Sequence, residues 1–189
     1  MTRTQRLKTR VIAIFLAVVG CTSSKSAPAL PADAANVGTT LPNIFVSVLP
    51  EIKAKTSIPV LLPSKLPRPF GDAKHARVEK VAPNEYAIAL YYELDVGDAG
   101  FAALFAANNN AHYSPMELPD VHQVKLAGGK VGFFRPVSCG GSCAPANLWW
   151  EQGSTQYQIQ LELRSTLEEM KQQKIISAVA NSAILAGPR

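Results

Sequence analysis

Two cysteines four positions apart, Cys139 and Cys143, are the residues whose type and spacing most directly suggest chemistry. In Cys139-Gly140-Gly141-Ser142-Cys143 two glycines stand where a tight reversal needs positive φ, so the thiols can close into a disulfide. The other chemistry open to such a pair is thiol redox work or metal handling, which is favoured where a helix N-terminus lowers the thiol pKa. Both flanks read as strands, and Ala144-Pro145 follows, so no helix start is evident there. A third cysteine, Cys21, lies far upstream, directly behind an apolar run.

Other reactive types are sparse. The histidines are His75, His112 and His122, and the last two bracket Glu117 and Asp120. Such a loop offers donors but lacks the close pairs, such as His-x-x-x-His, that specify a zinc site, so solvated loop polarity is expected and no metal. Ser138 and Ser142 have no evident base, and no nucleophile elbow, phosphate loop or His-Glu-x-x-His occurs. Neither a cofactor nor enzymatic activity is therefore expected.

Two features suggest binding instead. Trp149 and Trp150 are adjacent in a strand, so their rings point to opposite faces, and one of them could serve as a platform for a glycan or peptide. Lys53, Lys55, Lys65, Arg68, Lys74, Arg77 and Lys80 outnumber Glu51, Asp72 and Glu79, which makes a basic stretch suited to anionic lipid headgroups or wall polymers.

The elements that must position these residues are mostly strands. With 14 Pro and 12 Gly against a 47% apolar fraction, the chain is punctuated but has material for a core. Residues 49–55 suit a short helix with Pro50 in its first turn. Residues 58–69 carry too many prolines for regular structure and read as an extended strand and a turn. Residues 77–81 and 86–94 form a hairpin, with Tyr86, Ile88, Leu90, Tyr92 and Leu94 on one face. Residues 100–107 are ambiguous between helix and strand and lean to strand. Residues 121–126 pair with 131–135 around Ala127-Gly128-Gly129-Lys130. Residues 147–151 and 155–163 flank Gln152-Gly153-Ser154. There Tyr157, Ile159, Leu161 and Leu163 alternate with Gln156, Gln158, Gln160 and Glu162, one face packed and one wet.

A closing helix follows, with Ser165/Glu168 or Thr166/Glu169 as a capping box and Leu167, Met170, Ile175, Ala178, Val179 and Ser182 on its packed face. The expected architecture is α+β: a mostly antiparallel sheet of about six or seven strands, a C-terminal helix packed on it and a short N-terminal helix.

The N-terminus is an address. Arg3, Arg6, Lys8 and Arg10 precede the apolar run 11–19 (VIAIFLAVV), which covers roughly 14 Å as a helix, too short to span a bilayer. A basic n-region followed by such a run is a signal-peptide pattern. Val18-Val19-Gly20-Cys21 then resembles the lipobox of bacterial lipoproteins. The resemblance implies cleavage between Gly20 and Cys21 and lipidation of the Cys21 sulfur. It departs mildly from the family pattern in having Val18 where Leu is commonest. Residues 1–20 are then the signal peptide. Residues 21–42 are the lipidated end and a Pro/Ser/Thr/Ala-rich tether, about 25 Å as a coil and about 65 Å extended. Residues 43–189 form one domain.

Past an export signal the location is oxidising, and setting Cys21 aside leaves an even number of cysteines, which favours the disulfide as a staple between strands. Export also removes four of the 19 basic residues, so the net charge of +5 belongs largely to the signal and is no argument for nucleic acid.

A second resemblance, to an uncharacterised family of bacterial, often cyanobacterial, extracytoplasmic proteins, rests on several short stretches. They are Val124-x-Leu126-x-Gly128, Gly132-x-Phe134-x-Pro136, Cys139-Gly140-x-x-Cys143, Trp150, Tyr157-x-Ile159 and Ala180-Asn181-Ser182-Ala183-Ile184. It implies no activity. The family's further upstream cysteine pair has no counterpart here.

The expected function is a lipid-anchored, non-enzymatic binding or scaffolding domain of the cell envelope, facing the periplasm or exterior, with the outer membrane favoured in a two-membrane cell. The partners expected are the membrane through Cys21 and an envelope protein, glycan or anionic lipid. The alternative is a redox- or metal-handling lipoprotein using Cys139 and Cys143.

Overall fold

Alternation of apolar and polar residues, broken by glycine turns, sets the strands. The computed structural model describes residues 40–95, 100–110 and 114–189. Gly20, Cys21 and the signal peptide, most of the tether and His112 lie outside the described residues.

In chain order the regular elements are α1 (Leu49–Lys55), β1 (His75–Ala82), β2 (Glu85–Tyr91), β3 (Phe101–Asn108), β4 (His122–Lys125), β5 (Val131–Arg135), β6 (Ser138–Cys139), β7 (Cys143–Ala144), β8 (Ala146–Gln152), β9 (Thr155–Leu161) and α2 (Glu169–Ala186). Among the described residues, seven strands form one antiparallel sheet in the order β1-β2-β3-β9-β8-β5-β4. Two meanders, β1-β2-β3 and β4-β5-β8-β9, are thus joined where β9 pairs with β3. The expected α+β class holds, with the sheet antiparallel throughout, α2 packed on it and the short helix at 49–55. The ambiguous segment is strand β3.

One face of the sheet is the core. Tyr86, Ile88 and Leu90 of β2, Phe105 of β3, Phe134 of β5, Leu148 and Trp150 of β8, and Tyr157, Ile159 and Leu161 of β9 are buried there. Successive strand residues face opposite ways, so one register commits every other residue to this face. Two layers cover it. One is α2, whose buried residues Gln172, Ile176, Val179, Ala180 and Ala183 recur at helical spacing.

The other is the leading segment. Phe45 meets Phe105 edge-on, with ring centroids 5.3 Å apart. Ile58, Val60, Leu61 and Leu62 are buried too. Two tyrosines rising from the sheet clamp this irregular backbone. Tyr86 Oη accepts from the Leu61 N–H at 3.1 Å, and Tyr157 Oη donates to the Pro59 carbonyl at 2.9 Å. On the other side the Arg189 N–H donates to the Val60 carbonyl at 3.0 Å. Leu41 already packs against the core, two positions ahead of the expected domain start.

Several expectations are corrected. The segment expected as an extended strand over 58–69 joins no sheet; its only ladder contact is an isolated bridge, Leu61 with Pro188. Prolines remove the donors a ladder needs, and the tyrosine hydroxyls satisfy the backbone instead. Strand β2 ends at Tyr91 because the register slips between Leu90 and Tyr91, so Tyr92 falls outside the strand and Leu94 is exposed.

Neither capping box forms. Helix α2 starts at Glu169, with Glu168 as N-cap and no side-chain cap bond. Its start is fastened by the buried Gln172, whose amide donates to the Leu167 carbonyl at 2.7 Å and accepts from the Val137 N–H at 2.9 Å. The packed face is accordingly rotated: Met170 and Ala178 are exposed, and Gln172, Ile176 and Ala180 take the inner positions.

Candidate functional site

The cysteine pair is a disulfide. Cys139 and Cys143 face each other across the two-stranded hairpin β6–β7, with Cα atoms 4.0 Å apart, and the Gly140 N–H donates to the Ser142 carbonyl at 2.9 Å. Both residues are exposed, and the hairpin leads through Ala144-Pro145 directly into β8.

The two tryptophans part as adjacent strand residues must, and neither is an exposed platform. Trp150 is in the core, stacked on Tyr157 with centroids 5.4 Å apart and planes at 15°. Trp149 points to the opposite face yet is only 6% exposed. Helix α2 does not cover it, because the helix packs on the core side.

The basic stretch does not act as one surface. Lys55, Lys74, Arg77 and Lys80 are each in an ion pair, with Glu51, Glu93, Glu79 and Glu85 respectively. The remaining Lys53, Lys65 and Arg68 line three separate clefts.

His122 has a structural position. Its Nε2 lies 3.0 Å from Gln173 Oε1, its Nδ1 3.5 Å from Glu169 Oε1, and its ring meets Phe134 edge-on. It clasps edge strand β4 to α2, and Asn181 does the same for the β4–β5 turn, its Oδ1 accepting the Ala127 N–H at 2.7 Å. Among the described residues no group of three His, Cys, Asp or Glu could hold a metal ion.

Several residues behind the second resemblance have packing or turn roles. Gly132 sits in a crowded corner: a Cβ there would lie 2.8 Å from Leu126 Cδ1 and 3.1 Å from Leu148 Cδ1, so those side chains would have to shift. Gly128 adopts φ 67° in the β4–β5 turn, where a side chain would be strained.

What the tertiary structure assembles is a trough on the sheet face opposite the core. Antiparallel register lays three rows across the strands. One runs Lys80, Ala87, Ala106, Gln158, Trp149, and a second runs Leu104, Gln160, Asn147, Arg135. A third runs Glu85, Asn108, Gln156. Neighbours in a row have Cβ atoms about 5 Å apart, close enough to act as one surface. Ala87 and Ala106 are small, so the middle is recessed. Leu118 and Pro145 add to the walls, and the enclosed space is about 670 Å³, within the range of ligand sites.

The trough sets oriented amides among apolar side chains and carries few charges. Gln158 Nε2 donates to Asn147 Oδ1 at 2.8 Å, and Asn147 Nδ2 donates to the Pro145 carbonyl at 2.8 Å. This chain sets which end of each amide faces the opening. At one rim Lys80 pairs with Glu85 at 2.8 Å, and Asn108 Nδ2 donates to the same carboxylate oxygen at 3.3 Å. At the other rim stands Arg135, which is in no ion pair among the described residues. Its Nε is buried without a hydrogen-bond partner.

Gln156, Gln158 and Gln160 are legible in the sequence as a wet face. Their recurrence as the same amide at every outward position was the signal of more than solvation. Asn147 and Arg135 carried no such signal, because only strand pairing puts them beside the glutamines. No protein family, curated protein or solved structure matches the chain.

Proposed function

We propose that this is a lipid-anchored protein of the bacterial cell envelope, held by Cys21 and facing the periplasm or exterior, whose domain acts by binding. The N-terminal pattern of basic n-region, short apolar run and Gly20-Cys21 supports the anchor. No helix among the described residues is long and apolar enough to cross a membrane. The observation that carries the binding reading is the trough: a recessed surface across the central strands, where apolar side chains surround amides of which Gln158 and Asn147 are fixed by their own hydrogen bonds. Binding sites are concave and hold a few placed polar groups, whereas an ordinary solvated face has no need of either. The redox alternative draws no support from the hairpin, since Cys139 and Cys143 are carried on strands rather than at a helix N-terminus.

The anchor is tested by Cys21→Ser, which should leave the protein unprocessed or release it from membranes. A wild-type N-terminal peptide without lipid mass would refute it. The binding surface is tested by NMR titration with solubilised envelope polymers. The side-chain amide signals of Gln156, Gln158 and Gln160 should shift, and shifts clustered elsewhere would move the site.

A further inference from the structure

The lining of the trough constrains what it can hold. A peptide that adds to a sheet needs an unpaired strand edge, and this surface lies over β3, β9 and β8, each paired on both sides. An acyl chain would desolvate the amides of Gln158 and Gln160 without offering them a partner. A sugar ring fits both demands. Each hydroxyl both donates and accepts, as each glutamine amide does, so one amide can serve two neighbouring hydroxyls. The small side chains of Ala87 and Ala106 let pyranose rings approach the backbone closely.

The charge pattern narrows the class further. Lys80 and Glu85 neutralise one another, and the amide floor carries no charge. Among the described residues, Arg135 is the ion lining the trough that is in no ion pair, and its buried Nε has no hydrogen-bond partner. A guanidinium presents a planar fork that matches a carboxylate with two parallel hydrogen bonds.

We propose that the trough binds an oligosaccharide bearing carboxylate groups, its hydroxyls meeting the side chains of Gln158 and Gln160 and one carboxylate meeting Arg135. This rests on the trough being the binding surface and names the ligand class it takes. A polymer of this kind runs along the trough, across the strands from the Lys80 rim to Arg135. The β6–β7 hairpin carrying the disulfide stands beside that end, since Ala144 and Pro145 belong to the wall.

The test uses the purified full-length protein with hexamers of galacturonate, mannuronate and hyaluronan, each paired with its carboxyl-reduced neutral counterpart. Affinity is read by calorimetry and location by the glutamine side-chain amide signals. At least one acidic hexamer should bind at the trough tenfold or more tighter than its neutral partner, and the preference should fall as salt rises. Arg135→Gln should bring that ratio close to one. Gln158→Ala should weaken the acidic and neutral forms alike, and thermal melts confirm that both variants are folded. Equal binding of acidic and neutral forms, or a ratio untouched by Arg135→Gln, would overturn the carboxylate assignment and leave a neutral-glycan surface. Silence from all six hexamers, with the same amide signals still shifted by whole envelope polymer, would overturn the glycan class while the trough stands. Silence from both would remove the trough reading itself.

Discussion

Replacing Tyr86 with Phe removes one oxygen from the centre of the molecule and tests how the leading segment is held. The hydroxyl accepts from the Leu61 N–H at 3.1 Å and donates to the Leu61 carbonyl at 3.4 Å, with Tyr86 only 2% exposed. The second contact is long and counts for little. The first leaves a buried amide unpaired when lost, a change worth about 2 kcal/mol.

A pH signature accompanies it. Burial, the largest cause, pushes the Tyr86 hydroxyl well above its ordinary value, with the Leu61 backbone bond opposing. In the unfolded chain the group titrates near pH 10. The folded pKa is therefore the higher one. The contribution is fully present below about pH 10 and is lost as pH rises towards the folded value, at about 1.4 kcal/mol per pH unit.

Urea unfolding followed by tryptophan fluorescence at pH 7, 10 and 11 measures both effects. The variant should be about 2 kcal/mol less stable at neutral pH. The gap between the proteins should narrow above pH 10, because only in the wild type does unfolding release the Tyr86 proton, so that rising pH favours its unfolded state. Tyr157 and Tyr92, also raised chiefly by burial, are common to both proteins and cancel. A variant as stable as wild type at pH 7, or a gap that widens with pH, would refute the clamp.

Two further substitutions probe other joints. Cys139→Ser with Cys143→Ser opens a very small loop and should cost about 2 kcal/mol at most by chain entropy, with the sheet intact, since β6 and β7 lie outside it. Unfolding of the whole domain on reduction would contradict that. Gly132→Ala places a methyl 2.8 Å from Leu126 Cδ1 and 3.1 Å from Val124 Cγ2 and should destabilise by about 1–3 kcal/mol in denaturant melts. An unchanged midpoint would mean the β4–β5 corner is looser than its contacts suggest.

Local geometry was legible in the residues themselves. Alternation in Tyr157-Gln158-Ile159-Gln160-Leu161 dictates a strand with one packed face, because side-chain direction in a strand repeats every second residue. The turns at Gly128 and Gly153 are legible as glycine positions, since both take positive φ, whereas Gly140 and Gly141, expected to do the same in the hairpin that closes Cys139 on Cys143, do not: that reversal is made without the left-handed region. The start and packed face of α2 were not. They depend on Gln172 reaching Val137, a contact 35 positions away in the chain.

The position of the prolines in 58–69 ruled out a helix, but only Tyr86 and Tyr157 of the folded sheet decide where that backbone runs. The trough is the clearest case. Its glutamines come from one strand and can be read as outward-facing from sequence alone. Their neighbours Ala106, Trp149 and Asn147 come from two others, and Arg135 and Ala87 from strands beyond those. Periodicity assigns a residue to a face. Which strands lie side by side, and which face the helix and leading segment leave open, is settled only when β9 pairs with β3, a long-range contact that no local pattern encodes.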